Sequence, residues 1–232
     1  MLTNRTVLTL PYLVGLSVLL ASCATESETA TSQPRGPAPT RSATAVRDPG
    51  LPVILAFGDS LTAGHMVAAR VSYPAQLQEE LDRLGYHYRV VNQGVSGETT
   101  SGGLARLGGA LTLDPELVIL ELGANDGLRG IPIEVAKKNL ATMIEAFKER
   151  ETMVVLAGLT LPRNYGPDYI REFEAMFTEL AEQYDTALIP FFLEGVAGDR
   201  ELNQPDGIHP TGEGYAIVVD NVLETIETYL KK

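Results

Sequence analysis

Residues 53–64 read VILAFGDSLTAG, and the change of character at Gly58 decides how the rest of the chain is read. Val53, Ile54, Leu55, Ala56 and Phe57 form an unbroken apolar run of strand length, without the alternation of a half-exposed strand, which suits a sheet covered on both faces. Gly58, Asp59 and Ser60 then break into a polar turn. Four further short runs, at 89–92, 117–121, 153–157 and 187–189, alternate with amphipathic stretches at about 74–84, 103–107, 133–150, 167–184 and 212–230. That alternation predicts parallel strands joined by right-handed crossover helices, hence a three-layer α/β/α sandwich. In sheets of this class ligands bind beyond the carboxyl ends of the strands, near the point where the strand order reverses. The first three strands all run into polar, glycine-containing turns there: Gly58-Asp59-Ser60-Leu61, Gly94-Val95-Ser96-Gly97 and Gly123-Ala124-Asn125-Asp126-Gly127.

Ahead of this domain, Arg5 is followed by an apolar run at 7–20 and then by small residues, the layout of an export signal. The run is shorter than the roughly 20 residues of a membrane span and is interrupted by Pro11. The leader ends Leu20-Ala21-Ser22-Cys23, which resembles the lipobox of bacterial lipoproteins, and the resemblance implies cleavage before Cys23 and acylation of its sulfur. From Ala24 to Gly50 the chain is rich in Thr, Ser, Ala and Pro, too poor in apolar side chains to offset the entropy of folding. As a flexible coil it would hold the domain on the order of 30 Å from the lipid. The expected organisation is a signal peptide at 1–22, a lipidated Cys23 with a linker to residue 50, and one folded domain at 51–232.

The 232 residues carry 18 basic and 30 acidic side chains, a formal charge of -12, and no Trp. Such a balance repels nucleic acid and argues against attraction to an anionic membrane surface, so the lipid anchor is the expected membrane contact. Cys23 is the single cysteine, which excludes a disulfide within the chain. With only His65, His87 and His209 besides, no zinc site is expected.

Chemistry is sought at the strand ends. Ser60 stands where a buried strand meets a helix start, a place where a hydroxyl can be activated by a base and where backbone N–H groups face the same space; equally, Asp59 or Ser60 can serve as an ordinary helix cap. Near the other end, Asp206-Gly207-Ile208-His209-Pro210 spaces a carboxylate three residues from an imidazole. One turn can bring Asp206 to one ring nitrogen of His209 and leave the other for the Ser60 proton, although an Asp-Gly turn beside an incidental histidine has the same sequence. His65 lacks a carboxylate within a turn, and His87 lies in a polar connection. Donors for a developing oxyanion are the backbone N–H groups of Ser60 and Gly94 and the amide of Asn125.

These blocks, in this order, resemble the SGNH (GDSL) hydrolase family, whose four named residues match Ser60, Gly94, Asn125 and His209. More narrowly, GANDGLRG at 123–130, LPRNYG at 161–166 and IPFF at 189–192 resemble the bacterial thioesterase I/arylesterase/lysophospholipase branch. The resemblance implies a flavodoxin-like sandwich with a five-stranded parallel sheet, cleavage of acyl esters and thioesters, no metal or cofactor, and an acyl chain bordered by Leu128, Ile131, Leu161 and Pro162. It assigns nothing to His65. The substrates expected are small acyl esters or lysolipids, since an exported acidic protein does not meet polyanionic cytoplasmic acyl-coenzyme A, and a monomer is expected. Two other readings stand beside this one: a carbohydrate O-deacetylase of the cell envelope, and a lipoprotein that binds ligands on this fold without catalysis.

Overall fold

The computed structural model describes residues 50–232. The expected signal peptide, Cys23 and all but the last residue of the linker lie outside the described residues. Five strands, β1 (Val53–Gly58), β2 (Arg89–Gly94), β3 (Leu117–Glu121), β4 (Met153–Ala157) and β5 (Ala187–Ile189), form one sheet in the order β2-β1-β3-β4-β5. All four pairings are parallel. This is the doubly wound order expected, with its switch point between β1 and β3.

Every residue of β1 and β3 is buried, as their continuous apolar runs require, while β2 at the sheet edge is only half-buried. The connecting helices are α2 (Tyr73–Leu84), α3 (Thr100–Leu111), α5 (Ile133–Lys148), α6 (Pro167–Tyr184) and α7 (Gly212–Ile226), with short helices α1 (Ser60–Ala63) and α4 (Ala124–Leu128) directly after β1 and β3. Helix α2 packs on α7, and α3 on α5 and α5 on α6, forming the two outer layers. In α5 the buried positions are Ile133, Ala136, Leu140, Met143, Ile144 and Phe147, a three-and-four spacing that makes one apolar stripe. Truncating such a buried side chain, Leu140→Ala for example, is expected to cost about 2–5 kcal/mol. Among the described residues no helix is long and apolar enough to cross a membrane.

The helix boundaries differ from the sequence expectation in ways that have physical causes. Helix α3 begins at Thr100 rather than 103 because the N–H and hydroxyl of Thr100 donate to the Asp126 carboxylate, at 2.8 and 2.7 Å, a tie from another strand's loop. The polar turn at 123–127 is the first part of a short helix, entered through Gly123 at φ 124°. The last helix ends at Ile226 and tightens into a 3₁₀ turn, Glu227–Tyr229.

Register sets the site. Gly58, the last residue of β1, pairs with Gly94 of β2 on one side and Glu121 of β3 on the other. The three polar turns therefore leave the sheet at one level, beside the switch point.

Candidate active site

The turn after β1 is shaped by what lies beneath it. A Cβ at Gly58 would fall 2.1 Å from Thr62 Oγ1 and 2.5 Å from Glu121 Oε2, so the chain can pass over β3 here only as glycine. Asp59 is the N-cap of α1, its Oδ1 accepting from the Leu61 N–H at 3.0 Å, and Ser60 is the first helical residue. The capping role considered for Asp59 is thus real, and it aims Ser60 outward, half-buried, at the sheet's carboxyl edge. Beneath it Glu121 is fully buried and accepts from the Thr62 hydroxyl at 2.8 Å and the Asp59 N–H at 3.3 Å.

The second half of the site is a loop closed like a hairpin. Gln204 N–H donates to His209 O at 2.8 Å, Thr211 N–H donates to Leu202 O at 2.8 Å, and Gly207 takes the left-handed conformation that the reversal demands, φ 75°. Within it Oδ1 of Asp206 accepts from the N–H groups of Ile208 and His209 at 3.0 and 3.1 Å. Oδ2 of Asp206 meets His209 Nδ1 at 2.8 Å, and His209 Nε2 meets Ser60 Oγ at 2.8 Å. Burial works against the Asp206 charge, but the Ile208 N–H and the His209 ring and N–H outweigh it and hold the carboxyl below its ordinary value. An ionised Asp206 fixes the tautomer with hydrogen on Nδ1 and leaves Nε2 able to accept the Ser60 proton.

Asn125, in α4, donates its side-chain amide to Asp59 Oδ2 at 2.8 Å. Asp59 thereby joins the turn after β1 to the turn after β3. Burial raises the Asp59 carboxyl to about 6 despite the lowering effect of the Leu61 N–H, the Asn125 amide, His209 and Ser60. Glu121 is raised well above the ordinary carboxylate value, first by burial and then by the nearby Asp59 charge. The buried pair therefore favours carrying a proton, which removes part of the penalty of burying two carboxylates together.

Ser60, Asn125 and His209 all face one cavity of about 970 Å³, whose apolar wall includes Leu128, Leu159, Leu161, Pro162 and Phe191. That is near the upper end of the range for small-molecule sites. Among the described residues no cluster of three or more His, Cys, Asp or Glu side chains could hold a metal ion.

Residues 56–217 match the model of the GDSL-like lipase/acylhydrolase family. The chain belongs to that family. Membership gives it the hydrolysis of acyl esters. It is 43% identical to the esterase TesA of Pseudomonas aeruginosa over 178 residues, 76% of this chain and 89% of TesA. It is 37% identical to thioesterase 1/protease 1/lysophospholipase L1 of Escherichia coli over 175 residues, 75% of this chain and 83% of the relative. A crystal structure of TesA superposes with a TM-score of 0.74, covering 76% of this chain and 98% of that one.

Against the family pattern, two expected positions sit differently. The Gly94 N–H donates to Asn92 Oδ1 at 2.9 Å, and Gly94 does not line the cavity. Its lack of a side chain serves packing, since a Cβ would fall 2.1 Å from the Ala63 nitrogen and 2.6 Å from Ala63 Cα. Ile131 also lies outside the lining, because its N–H bonds back to Asp126 O at 3.0 Å and the chain turns away into α5; Leu128, Leu161 and Pro162 do line the cavity.

Several residues of the site carry no sequence signal. The Gln204 amide donates to His65 O at 2.7 Å and to Pro210 O at 3.0 Å, clamping the His209 loop to the turn after α1. His65, which the family pattern leaves unassigned, lines the cavity with its ring 4.6 Å from that of His209, and the Ser96 hydroxyl lies 3.5 Å from its Nδ1. Only the distance of Gln204 and His65 from each other along the chain hid this contact.

Proposed function

We propose that the protein is a serine esterase working through an acyl-enzyme on Ser60, with His209 as general base and acid and Asp206 as its orienting carboxylate. The observation that carries this is the continuous relay from Asp206 Oδ2 through His209 to Ser60 Oγ, two contacts of 2.8 Å each. His209 takes the Ser60 proton as Oγ attacks the acyl carbonyl, then gives it to the departing alcohol or thiol; water repeats the sequence and releases the acid. The oxyanion is met by the Ser60 N–H, in the first turn of α1 where N–H groups have no intrahelical partner, and by the Asn125 amide hydrogen not engaged by Asp59. Gly94 contributes its N–H only by leaving Asn92 Oδ1.

The cavity supports a reading of the substrate class. Its apolar lining, with Leu128, Leu161 and Pro162 as acyl-bordering residues, favours esters with an extended acyl chain, lysolipids among them, over the acetyl group of an O-deacetylase. Small aryl esters and thioesters belong to the same proposed substrate class.

The protein is further proposed to be an exported lipoprotein, anchored through Cys23 after removal of residues 1–22 and held by the segment to residue 50; this reading rests on the sequence. The mass of the mature chain tests it, with Cys23→Ser expected to abolish lipid attachment. The catalytic assignment is tested by Ser60→Ala, which should lose both ester hydrolysis and labelling by a fluorophosphonate probe. Near-normal hydrolysis by that variant would refute it. A series of esters of increasing acyl length should show rates rising beyond acetyl, and a sharp acetyl preference would favour the sugar O-deacetylase instead.

A further inference from the structure

Among the described residues, the large apolar side chains most open to solvent are Met66, Val95, Val135, Ile208 and Tyr229, with Met66 80% exposed. Exposed apolar side chains scattered singly are ordinary. Three of these line the cavity or directly adjoin a residue that does. Ile208 lines the cavity beside His209. Met66 directly follows His65, whose ring stands against that of His209, and Val95 directly precedes Ser96, whose hydroxyl faces His65. Met66 also adopts φ 56°, a left-handed conformation uncommon for a residue with an unbranched side chain, and there it leaves its thioether in water.

We propose that Met66, Val95 and Ile208 form a docking rim for a zwitterionic lipid surface, through which an acyl ester passes from a membrane or lipid aggregate into the cavity without entering bulk water. Several features of the chain select this occupant. The cavity wall is mainly apolar, with Leu128, Leu159, Leu161, Pro162 and Phe191 among its residues, and can take up an acyl chain. The formal charge of -12 repels anionic lipid, so attachment must come from apolar insertion into a surface without net charge. The 49 residues ahead of the described domain carry Cys23, read above as a lipid attachment point, which would keep such a surface within reach. The inference deepens the proposed esterase function and rests on it for the substrate.

The test uses residues 50–232, which hold the buried core of the described residues and match 98% of the chain in the TesA crystal structure. Without residues 1–49 no anchor is present, so any lipid binding belongs to the domain. The probes are phosphatidylcholine vesicles, empty or carrying a long-chain p-nitrophenyl ester, and a soluble short-chain p-nitrophenyl ester below its solubility limit. The variant combines Met66→Asn, which suits a left-handed position, with the near-isosteric Val95→Thr. Expected are sedimentation of the wild-type domain with vesicles, and an approximately tenfold or greater loss in the variant of both sedimentation and kcat/KM on the vesicle-borne ester. Its kcat/KM on the soluble ester should stay within about twofold of wild type. A wild-type domain that stays in the supernatant, or a variant that matches wild type on vesicles, would overturn the docking rim. Failure of the esterase reading would show separately, as absence of soluble-ester hydrolysis in the wild type, while sedimentation still reports on the rim.

Discussion

The side-chain amide of Asn125 donates to Asp59 Oδ2 at 2.8 Å, so the residue immediately before Ser60 orients the amide that faces the same cavity from a different strand. One hydrogen of that amide is spent on position, and in the proposed mechanism the other meets the substrate. Preorganisation of this kind matters because a donor already aimed at a developing oxyanion needs no reorganisation as charge forms.

Replacing Asn125 with Ala should lower kcat by about 100- to 1,000-fold, roughly 3–4 kcal/mol of transition-state stabilisation. The Ser60 to His209 contact does not involve Asn125, so labelling by a fluorophosphonate should persist at a reduced rate. Steady-state kinetics on a soluble ester together with the labelling rate check both parts. Unchanged kcat would remove Asn125 from the oxyanion site.

Asp59 makes stability depend on pH. Its carboxyl loses its proton near 6 when folded against an ordinary value of 3.8, so between those values the folded state binds more protons than the unfolded one. Its contribution is full below about pH 4 and is lost as the pH rises through about 6. Asp59→Asn stays neutral, so on going from pH 4 to pH 7 wild type should lose more stability than the variant, by up to about 3 kcal/mol. Urea unfolding at the two pH values measures this. Equal losses in the two proteins would mean that Asp59 is not held in the protonated form.

Gln204 should act on catalysis through the His209 loop. Gln204→Ala removes the bonds to His65 O and Pro210 O, leaving those carbonyls without that donor. Stability should fall by about 1–2 kcal/mol. A displaced imidazole should reduce kcat by about 10- to 100-fold while KM moves little. Equal effects on kcat and KM would point instead to a general loosening of the cavity.

Gly94 is expected to be intolerant of a side chain for steric reasons. In Gly94→Ala the new Cβ meets backbone atoms of Ala63 and Thr62, at 2.1 to 2.6 Å, which cannot rotate away as a side chain can. Destabilisation of about 3 kcal/mol or more is expected, read as a lower denaturation midpoint. A variant of normal stability with reduced kcat would shift the role of Gly94 toward the oxyanion.

Much was legible along the chain because the relevant signals are local. Continuous apolar runs at β1 and β3 identify strands buried on both faces, and the three-residue interval from Asp206 to His209 lets one turn join carboxylate and imidazole. The start of α3 lies three residues ahead of the expected 103 because its first donors are held by Asp126, which no pattern near Thr100 announces. The family resemblance implies Ile131 beside the acyl chain, yet it lies outside the cavity lining, and an apolar residue in a loop after a strand carries no mark of the direction its turn takes.

The sequence by itself determined the order of strands and helices, the polar turns at their ends, and the residue types from which a serine hydrolase is built. Those properties depend on apolar periodicity, turn chemistry and short spacings, all written in consecutive residues. Only the tertiary structure decided that Gly58, Gly94 and Glu121 stand level across the sheet, that Asp59 holds Asn125, that Gln204 fastens the His209 loop, and that the His65 ring lies against that of His209. Register and long-range hydrogen bonds join segments far apart in the chain, and they exist only once the sheet has assembled.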